Sequence, residues 1–292
     1  MHTERLNNQN IKERLVRVFN DTIRRIDFSE NLTDSVSRSI GEQQYYLGLS
    51  NVSLIAGRQD DLNKETVVTV SQKRTFEAAS YYVYSNYNKK VAVLNFASAT
   101  TPGGGVTKGA SAQEECLCRV STLYPCLKAK KAWNLFYAPH RKEMNPLHND
   151  DIIYTPNVVV IKDDDYNLLQ KPFSVDVITC AAPNLKETPS NGYNTGDGKN
   201  KAKISENELF ELHKTRATKI LFVAIHNNVD VLVLGAFGCG AFKNPPSVVA
   251  NAYADVLKKY AKHFERIEFA VYCPSKDKSN YEAFKVLENI VF

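Results

Sequence analysis

The apolar run Val91-Ala92-Val93-Leu94-Asn95 leads into Phe96-Ala97-Ser98-Ala99-Thr100-Thr101-Pro102-Gly103-Gly104-Gly105-Val106-Thr107-Lys108-Gly109-Ala110-Ser111 and on to Ala112-Gln113-Glu114-Glu115-Cys116-Leu117-Cys118-Arg119. A short apolar run closed by glycine and proline signals reads as a buried strand with a loop at its carboxyl end. Three consecutive glycines remove every Cβ, so backbone amides can approach a ligand closely and adopt dihedrals closed to other residues. The spacing from Gly104 to Gly109 mimics the phosphate-cradling loop of nucleotide triphosphatases, but Ala110 stands where that loop requires its lysine, which makes a kinase or ATPase a poor reading. Glu114 and Glu115 lie side by side near the start of a helix. Adjacent helical residues project about 100° apart, so one carboxylate can reach the loop's cavity while its neighbour braces another part of the site. Acidic residues favour a helix's first turn for electrostatic reasons alone; the glycine run upstream is what makes this pair candidate chemistry.

Further β-type runs are expected at Thr66 to Val70, Val175 to Ala181, Val229 to Leu234 and Ile267 to Tyr272. Helical patterns alternate with them near Thr75 to Asn86, Glu206 to Asn227, Pro246 to Ala261 and Asn280 to Asn289. Apolar strands alternating with helices imply an α/β fold with a mixed, largely parallel central sheet covered by helices on both faces. Ligands in such sheets sit beyond the carboxyl ends of the strands. A second glycine loop falls there: after Val231-Leu232-Val233-Leu234 comes Gly235-Ala236-Phe237-Gly238-Cys239-Gly240-Ala241-Phe242-Lys243-Asn244-Pro245-Pro246. Its prolines set a helix start, and free amides at that position suit a phosphate or diphosphate. The polar stretch Asn184 to Lys203, dense in Gly, Pro, Ser and Asn, reads as a long mobile loop.

The first sixty or so residues read as a helical preface, with Ile11, Leu15, Val18, Phe19 and Ile23 at helical spacing and Arg14, Arg17, Arg24 and Arg25 on the solvated faces. At 292 residues, 43% hydrophobic and 24% charged, the chain is globular in composition. Its net charge of +5 is too mild to argue nucleic-acid binding, and favours an acidic ligand. No apolar run approaches the roughly 18 to 20 residues that span a bilayer, and the start lacks the apolar core of a secretory signal, so a soluble cytoplasmic protein without membrane contact is expected. Six cysteines, Cys116, Cys118, Cys126, Cys180, Cys239 and Cys273, suit reduced thiols, and Cys116-Leu117-Cys118 is not the spacing a zinc site prefers. His140, His148, His213 and His226 are scattered singly, as surface or core histidines are. Neither a metal nor a cofactor is expected.

Two glycine loops and a carboxylate pair suggest a phosphorylated sugar with an acid-labile bond. Glycosidic cleavage needs an acid to protonate the leaving oxygen and a carboxylate to activate water, on groups usually several ångströms apart across the ring. Neighbouring residues fit that division poorly, so one glutamate is expected to serve both proton transfers in turn.

At these residues the sequence resembles the macrodomain family, specifically the microbial type of poly(ADP-ribose) glycohydrolase. The likeness rests on Gly103-Gly104-Gly105 followed by Gln113-Glu114-Glu115. It extends through Leu94-Asn95-Phe96-Ala97-Ser98-Ala99, Ser121-Thr122-Leu123-Tyr124-Pro125, Ile153-Tyr154-Thr155-Pro156, Ala181-Ala182-Pro183-Asn184 and Leu234-Gly235-Ala236-Phe237-Gly238-Cys239-Gly240. The resemblance covers about Thr66 to the C-terminus and implies a three-layer macrodomain over residues 61–292, with residues 1–60 as a helical accessory segment packed on it.

It further implies hydrolysis of ribose–ribose O-glycosidic bonds without a metal. Glu115 would protonate the leaving ribose oxygen and then activate water, while Glu114 would hold the ribose hydroxyls. The amides of Gly103, Gly104 and Gly105 would hold the diphosphate side, and Gln113 would line the site. Gly238, Cys239, Gly240, Ala241 and Phe242 would wrap the diphosphate, with the Phe242 ring on the ribose. Asn95 and Ser98 would fix backbone and ribose contacts, and Tyr272 would stack on adenine. ADP-ribose or its polymer on modified proteins is the implied partner, and a monomer is expected. Val106-Thr107-Lys108 departs from the branch, which often carries an aromatic or aliphatic pair there. That segment and Asn184 to Lys203 are where a different substrate, such as mono-ADP-ribose, would be accommodated. A reader of ADP-ribose without catalysis is the alternative from another class.

Overall fold

The computed structural model describes residues 2–48, 66–85, 88–192, 194–274 and 277–290. Two helices, α1 (His2–Asp27) and α2 (Glu30–Gly41), precede the short strand β1 (Gln44–Tyr46). β2 (Val67–Ser71), α3 (Thr75–Tyr84), β3 (Val91–Ala97) and α4 (Gln113–Val120) follow. Three short helices, α5 (Leu123–Leu127), α6 (Lys130–Ala132) and α7 (Ala138–Glu143), lead to the hairpin of β4 (Ile152–Lys162) and β5 (Leu168–Ala181). The chain continues through α8 (Glu206–His226), β6 (Val231–Leu234), α9 (Pro246–Tyr260), β7 (Arg266–Ala270) and α10 (Ser279–Phe284). The expected boundary near residue 60 lies outside the described residues.

Seven strands form one sheet in the order β1-β4-β5-β3-β6-β7-β2. The run from β5 to β2 is parallel, and β4 and β1 extend it antiparallel. The expected mixed, largely parallel sheet between helical layers is therefore present. Strand side chains alternate faces, and β3 shows the outcome: Ala92 and Leu94 join the core beneath α8 and α9, while Val91 and Val93 join the core beneath α3 and α4. Both sets are buried, which is why β3 reads as a continuous apolar run. Each fully buried valine or leucine contributes about 1.5–3 kcal/mol.

Three strands depart from the expectations. β4 was not foreseen, because Pro156 interrupts it and proline demotes a strand pattern. The structure accommodates Pro156 in a bulge: the register with β5 shifts between Thr155 and Val158, and Asn157 takes a φ of 57°. The Asn157 amide then donates to Asp176 Oδ1 at 2.9 Å instead of to the ladder. β5 begins at Leu168, seven residues before the expected Val175, as the polar arm of the hairpin. Within the stretch expected to be helical, residues 44–46 pair with β4 as the sheet's edge strand.

Helix α1 is fastened to the domain by burial and by charge. Leu15, Phe19 and Ile26 are buried, whereas Ile11 is 55% exposed, and the four arginines face solvent. Lys162, only 2% exposed at the end of β4, reaches Asp21 Oδ2 at 2.8 Å and Thr22 Oγ1 at 2.7 Å. Gly109 lies so close beneath α1 that a Cβ there would meet the Lys12 carbonyl oxygen at 2.5 Å.

Candidate active site

A cavity of about 1190 Å³ opens at the carboxyl ends of β3, β6 and β7. Both glutamates reach its wall from the first turn of α4, and both are nearly buried, Glu114 at 2% and Glu115 at 7% exposure. Their carboxylates converge on Gly104. A Cβ at that residue would stand 2.4 Å from Glu115 Oε1 and 3.1 Å from Glu114 Oε2. The glycine run thus makes room for two acid groups.

The amides of the glycine run have hydrogen-bond partners inside the protein. Gly103 donates its amide to the Glu114 carboxylate, Gly104 to the Thr101 carbonyl at 2.9 Å, and Gly105 to Glu115 Oε1 at 2.8 Å. Each amide is already satisfied inside the protein, because backbone donors this deeply placed must find an acceptor. Glu114 also accepts from the Ser98 amide at 2.8 Å and from Asn95 Nδ2 at 3.3 Å. Glu115 differs. Its Oε1 is fixed by Gly105, while its Oε2 is buried without a partner. Burial, and then the neighbouring Glu115, hold the Glu114 carboxyl well above the usual carboxylate range, against the opposing pull of its three donors.

Gln113 is a brace as well as part of the wall: its Oε1 accepts the Phe96 amide at 2.8 Å and its Nε2 donates to the Leu94 carbonyl at 2.7 Å. Those bonds seat α4 on the end of β3. Asn95, fully buried, stands behind the wall and donates to Glu114. Gly103 and Cys239 likewise do not line the cavity. Gly103 packs against the Tyr124 ring, and the Cys239 amide turns inward to the Ala236 carbonyl at 3.1 Å.

The second glycine loop has the complementary character. Asn244 holds it from behind, donating to the carbonyls of Pro183 and Gly238 at 2.7 and 3.0 Å. His213 Nε2 meets Asn244 Oδ1 at 2.9 Å, and burial pushes this imidazole down to about 4. Gly240, Ala241 and Phe242 line the cavity with amides that have no acceptor among the described residues. Lys186 stands beside the Phe242 ring, its Nζ 5.9 Å from the ring centre. At the other end of the cavity Tyr272 is 53% exposed, with the Arg74 guanidinium 4.1 Å above its ring.

Other wall residues lie outside the expected site set: Arg74, Lys186 and Asn194 are single polar residues in loops, and Ile11 and Arg14 come from α1. The segment 184–203, expected to be mobile, is pinned. Asn184 and Asn194 both donate to Asp197, and Lys108 Nζ reaches over to the Gly192 carbonyl at 2.6 Å. The Val106–Lys108 turn and this segment are therefore joined. No group of three or more potential metal ligands occurs among the described residues, and no described helix is long and apolar enough to cross a membrane.

The family model of the microbial-type PARG catalytic domain matches residues 20–163. Poly(ADP-ribose) glycohydrolase from Thermomonospora curvata is 30% identical, covering 93% of this chain and 98% of its own, with a TM-score of 0.78. The same protein bound to the inhibitor ADP-HPD superposes with a TM-score of 0.75. The Deinococcus radiodurans glycohydrolase in complex with ADP-ribose is 30% identical over 86% of this chain and 96% of its own, with a TM-score of 0.70. No curated protein sequence matches. The fold is that of an α/β glycosidase. The chain belongs to the microbial-type poly(ADP-ribose) glycohydrolase family.

Proposed function

We propose that this protein hydrolyses the ribose–ribose O-glycosidic bonds of poly(ADP-ribose) and releases ADP-ribose, with Glu115 as general acid and then general base. The observation that carries this reading is the carboxyl of Glu115, a residue of the cavity wall: one oxygen is fixed by the Gly105 amide and the other is buried without a partner. A proton on Oε2 passes to the leaving ribose oxygen as the bond to the anomeric carbon breaks. The carboxylate left behind takes a proton from the water whose oxygen attacks that carbon, which restores the acid. One group working twice resolves the difficulty that neighbouring carboxylates cannot stand on opposite faces of a sugar.

Glu114 keeps acceptor capacity beyond its three internal donors, enough for a ribose hydroxyl. The unpaired amides of Gly240, Ala241 and Phe242 suit the diphosphate, and the Phe242 ring packs on the adjoining ribose. Gly238 and Ser98 complete that wall, and Tyr272 with Arg74 offers the purine an aromatic face backed by a cation. ADP-ribose as the ligand is supported by the complex of the Deinococcus radiodurans protein. Residues 61–292 act as the ADP-ribose-binding domain, and residues 1–60 as an accessory segment that supplies one wall.

The test is release of free ADP-ribose from poly(ADP-ribosyl)ated protein by the parent and by Glu115→Gln. Loss of the proton donor lowers kcat by about 10² to 10⁴, while calorimetry still detects ADP-ribose binding. A Glu115→Gln variant as active as the parent overturns the assignment.

A further inference from the structure

Segment 184–203 contains a buried charge that the chemistry above does not use. Asp197 is 0% exposed, and its Oδ2 accepts from Asn184 Nδ2 at 2.8 Å and from Asn194 Nδ2, with His148 Nε2 at 3.2 Å. Thr100 Oγ1 approaches its other oxygen at 3.4 Å. Asn194 in turn accepts through Oδ1 from Ser98 Oγ at 2.9 Å and Thr100 Oγ1 at 2.8 Å. The Ser98 amide ends the chain on Glu114 Oε2 at 2.8 Å.

We propose that Asp197 is a positioning residue for the hydrolysis: by fixing which way the Asn194 amide faces, it sets the Ser98–Thr100 turn and with it the Glu114 carboxylate. An asparagine side chain has one accepting and one donating end, and only its surroundings decide the orientation. Asp197 offers acceptors alone, so Asn194 must turn its Nδ2 towards it and its Oδ1 towards the two hydroxyls. With the acid replaced by an amide, the negative charge that holds the Asn184 and Asn194 amides and faces His148 is lost, and one of the two accepting positions becomes a donor. Asn194 is then free to present its Nδ2 to Ser98 and Thr100, which loosens the turn that carries Glu114. The ribose shifts relative to Glu115, whereas the amides of Gly240 and Ala241, on the loop that Asn244 also ties to the Gly238 carbonyl, keep their hold.

The inference rests on the proposed glycohydrolase reading and is tested on the full-length protein with poly(ADP-ribosyl)ated protein as substrate. Asp197→Asn is expected to lower kcat by about 10- to 100-fold, in line with the cost of misplacing reacting groups by up to 1 Å, while KM and ADP-ribose affinity stay within about threefold. Ser98→Ala, which keeps the backbone amide but removes the Oγ that meets Asn194 and accepts from the Thr101 amide, should lower kcat at least as much. The double variant should lose no more than the less active single variant, because both break one chain. Lys201→Ala, which removes an exposed ion pair with Glu187 on the same segment, should leave kcat unchanged. Parental kcat in Asp197→Asn, multiplying losses in the double variant, or an equal loss in Lys201→Ala overturns the inference. If the parent releases no ADP-ribose, or Glu115→Gln is fully active, the functional reading itself falls.

Discussion

Gly104→Ala tests whether the glycine run exists to make room for the acids. Gly104 sits at a φ of 55°, a left-handed conformation that costs a residue with a side chain about 1–2 kcal/mol. The new methyl would also lie 2.4 Å from Glu115 Oε1, where ordinary contact begins near 3.4 Å. Relieving the overlap moves that carboxylate by about 1 Å, and a misplacement of that size costs about 10²-fold in rate. The variant should therefore show kcat on poly(ADP-ribosyl)ated protein reduced about 10²-fold, and a Tm lower by a few degrees for the strain. Gly41→Ala serves as the control. A Cβ there meets nothing within 4 Å at the end of α2, so activity stays parental and stability changes by at most about 1 kcal/mol. A Gly104→Ala enzyme with parental kcat, or one that loses only stability, would refute the claim that the loop's shape serves Glu115.

Two further outcomes concern charge and stability. Hydrogen bonding from Arg25, then from Lys162, pulls the Asp21 carboxyl down to about 2, so this pairing stabilises the fold above the unfolded value of 3.8 and is lost as pH falls towards 2. Asp21→Ala strands the buried Lys162 ammonium. Because the carboxylate is partly open to water, the cost is about 1–2 kcal/mol rather than the 3–5 of a fully buried pair. Chemical denaturation should record that loss, and KM should rise as α1 loosens beside the cavity; unchanged Tm and KM would count against this anchoring. His213 is held down to about 4 by burial, helped by the Arg216 charge and opposed by its bond to Asn244. It stays neutral in the fold while the unfolded chain takes up a proton below 6.5, so stability is complete above that pH and declines as pH falls towards 4. By pH 5 the loss is about 2 kcal/mol. In His213→Gln this part of the slope should vanish from denaturation curves at pH 7 and 5, and identical slopes in parent and variant would dismiss it.

The parallel strands were readable because burial on both faces writes a strand as an uninterrupted apolar run, as in Val91 to Leu94. β4 was not, because Pro156 breaks its pattern and only the pairing with β5 absorbs the bulge. The site was legible as a set of residues more than as a set of roles. Gly103 to Gly105 and Gly238 to Phe242 look alike in one dimension, yet the first set spends its amides within the protein, while the second leaves those of Gly240, Ala241 and Phe242 unpaired among the described residues. That difference depends on where Glu114 and Glu115 fold back, a long-range outcome. Asn95 shows the same limit: its place at the end of β3 is evident, while its burial against Glu114 arises from the seating of α4. The anchoring of segment 184–203 was hidden by its composition, since Asn, Gly and Ser are common both to loose loops and to loops held by side-chain hydrogen bonds.

Because α1 rests on Gly109 with no room for a methyl group and contributes Ile11 and Arg14 to the cavity, occupancy of the site and docking of this helix are thermodynamically linked. A ligand that contacts the helix stabilises the docked state by RT ln(1 + L/Kd), where L is the free ligand concentration. Excursions in which α1 lifts away reduce apparent affinity in proportion to the docked fraction. Hydrogen exchange along Ile11 to Phe19 thereby becomes a reporter of ligand binding, on an element that performs none of the chemistry.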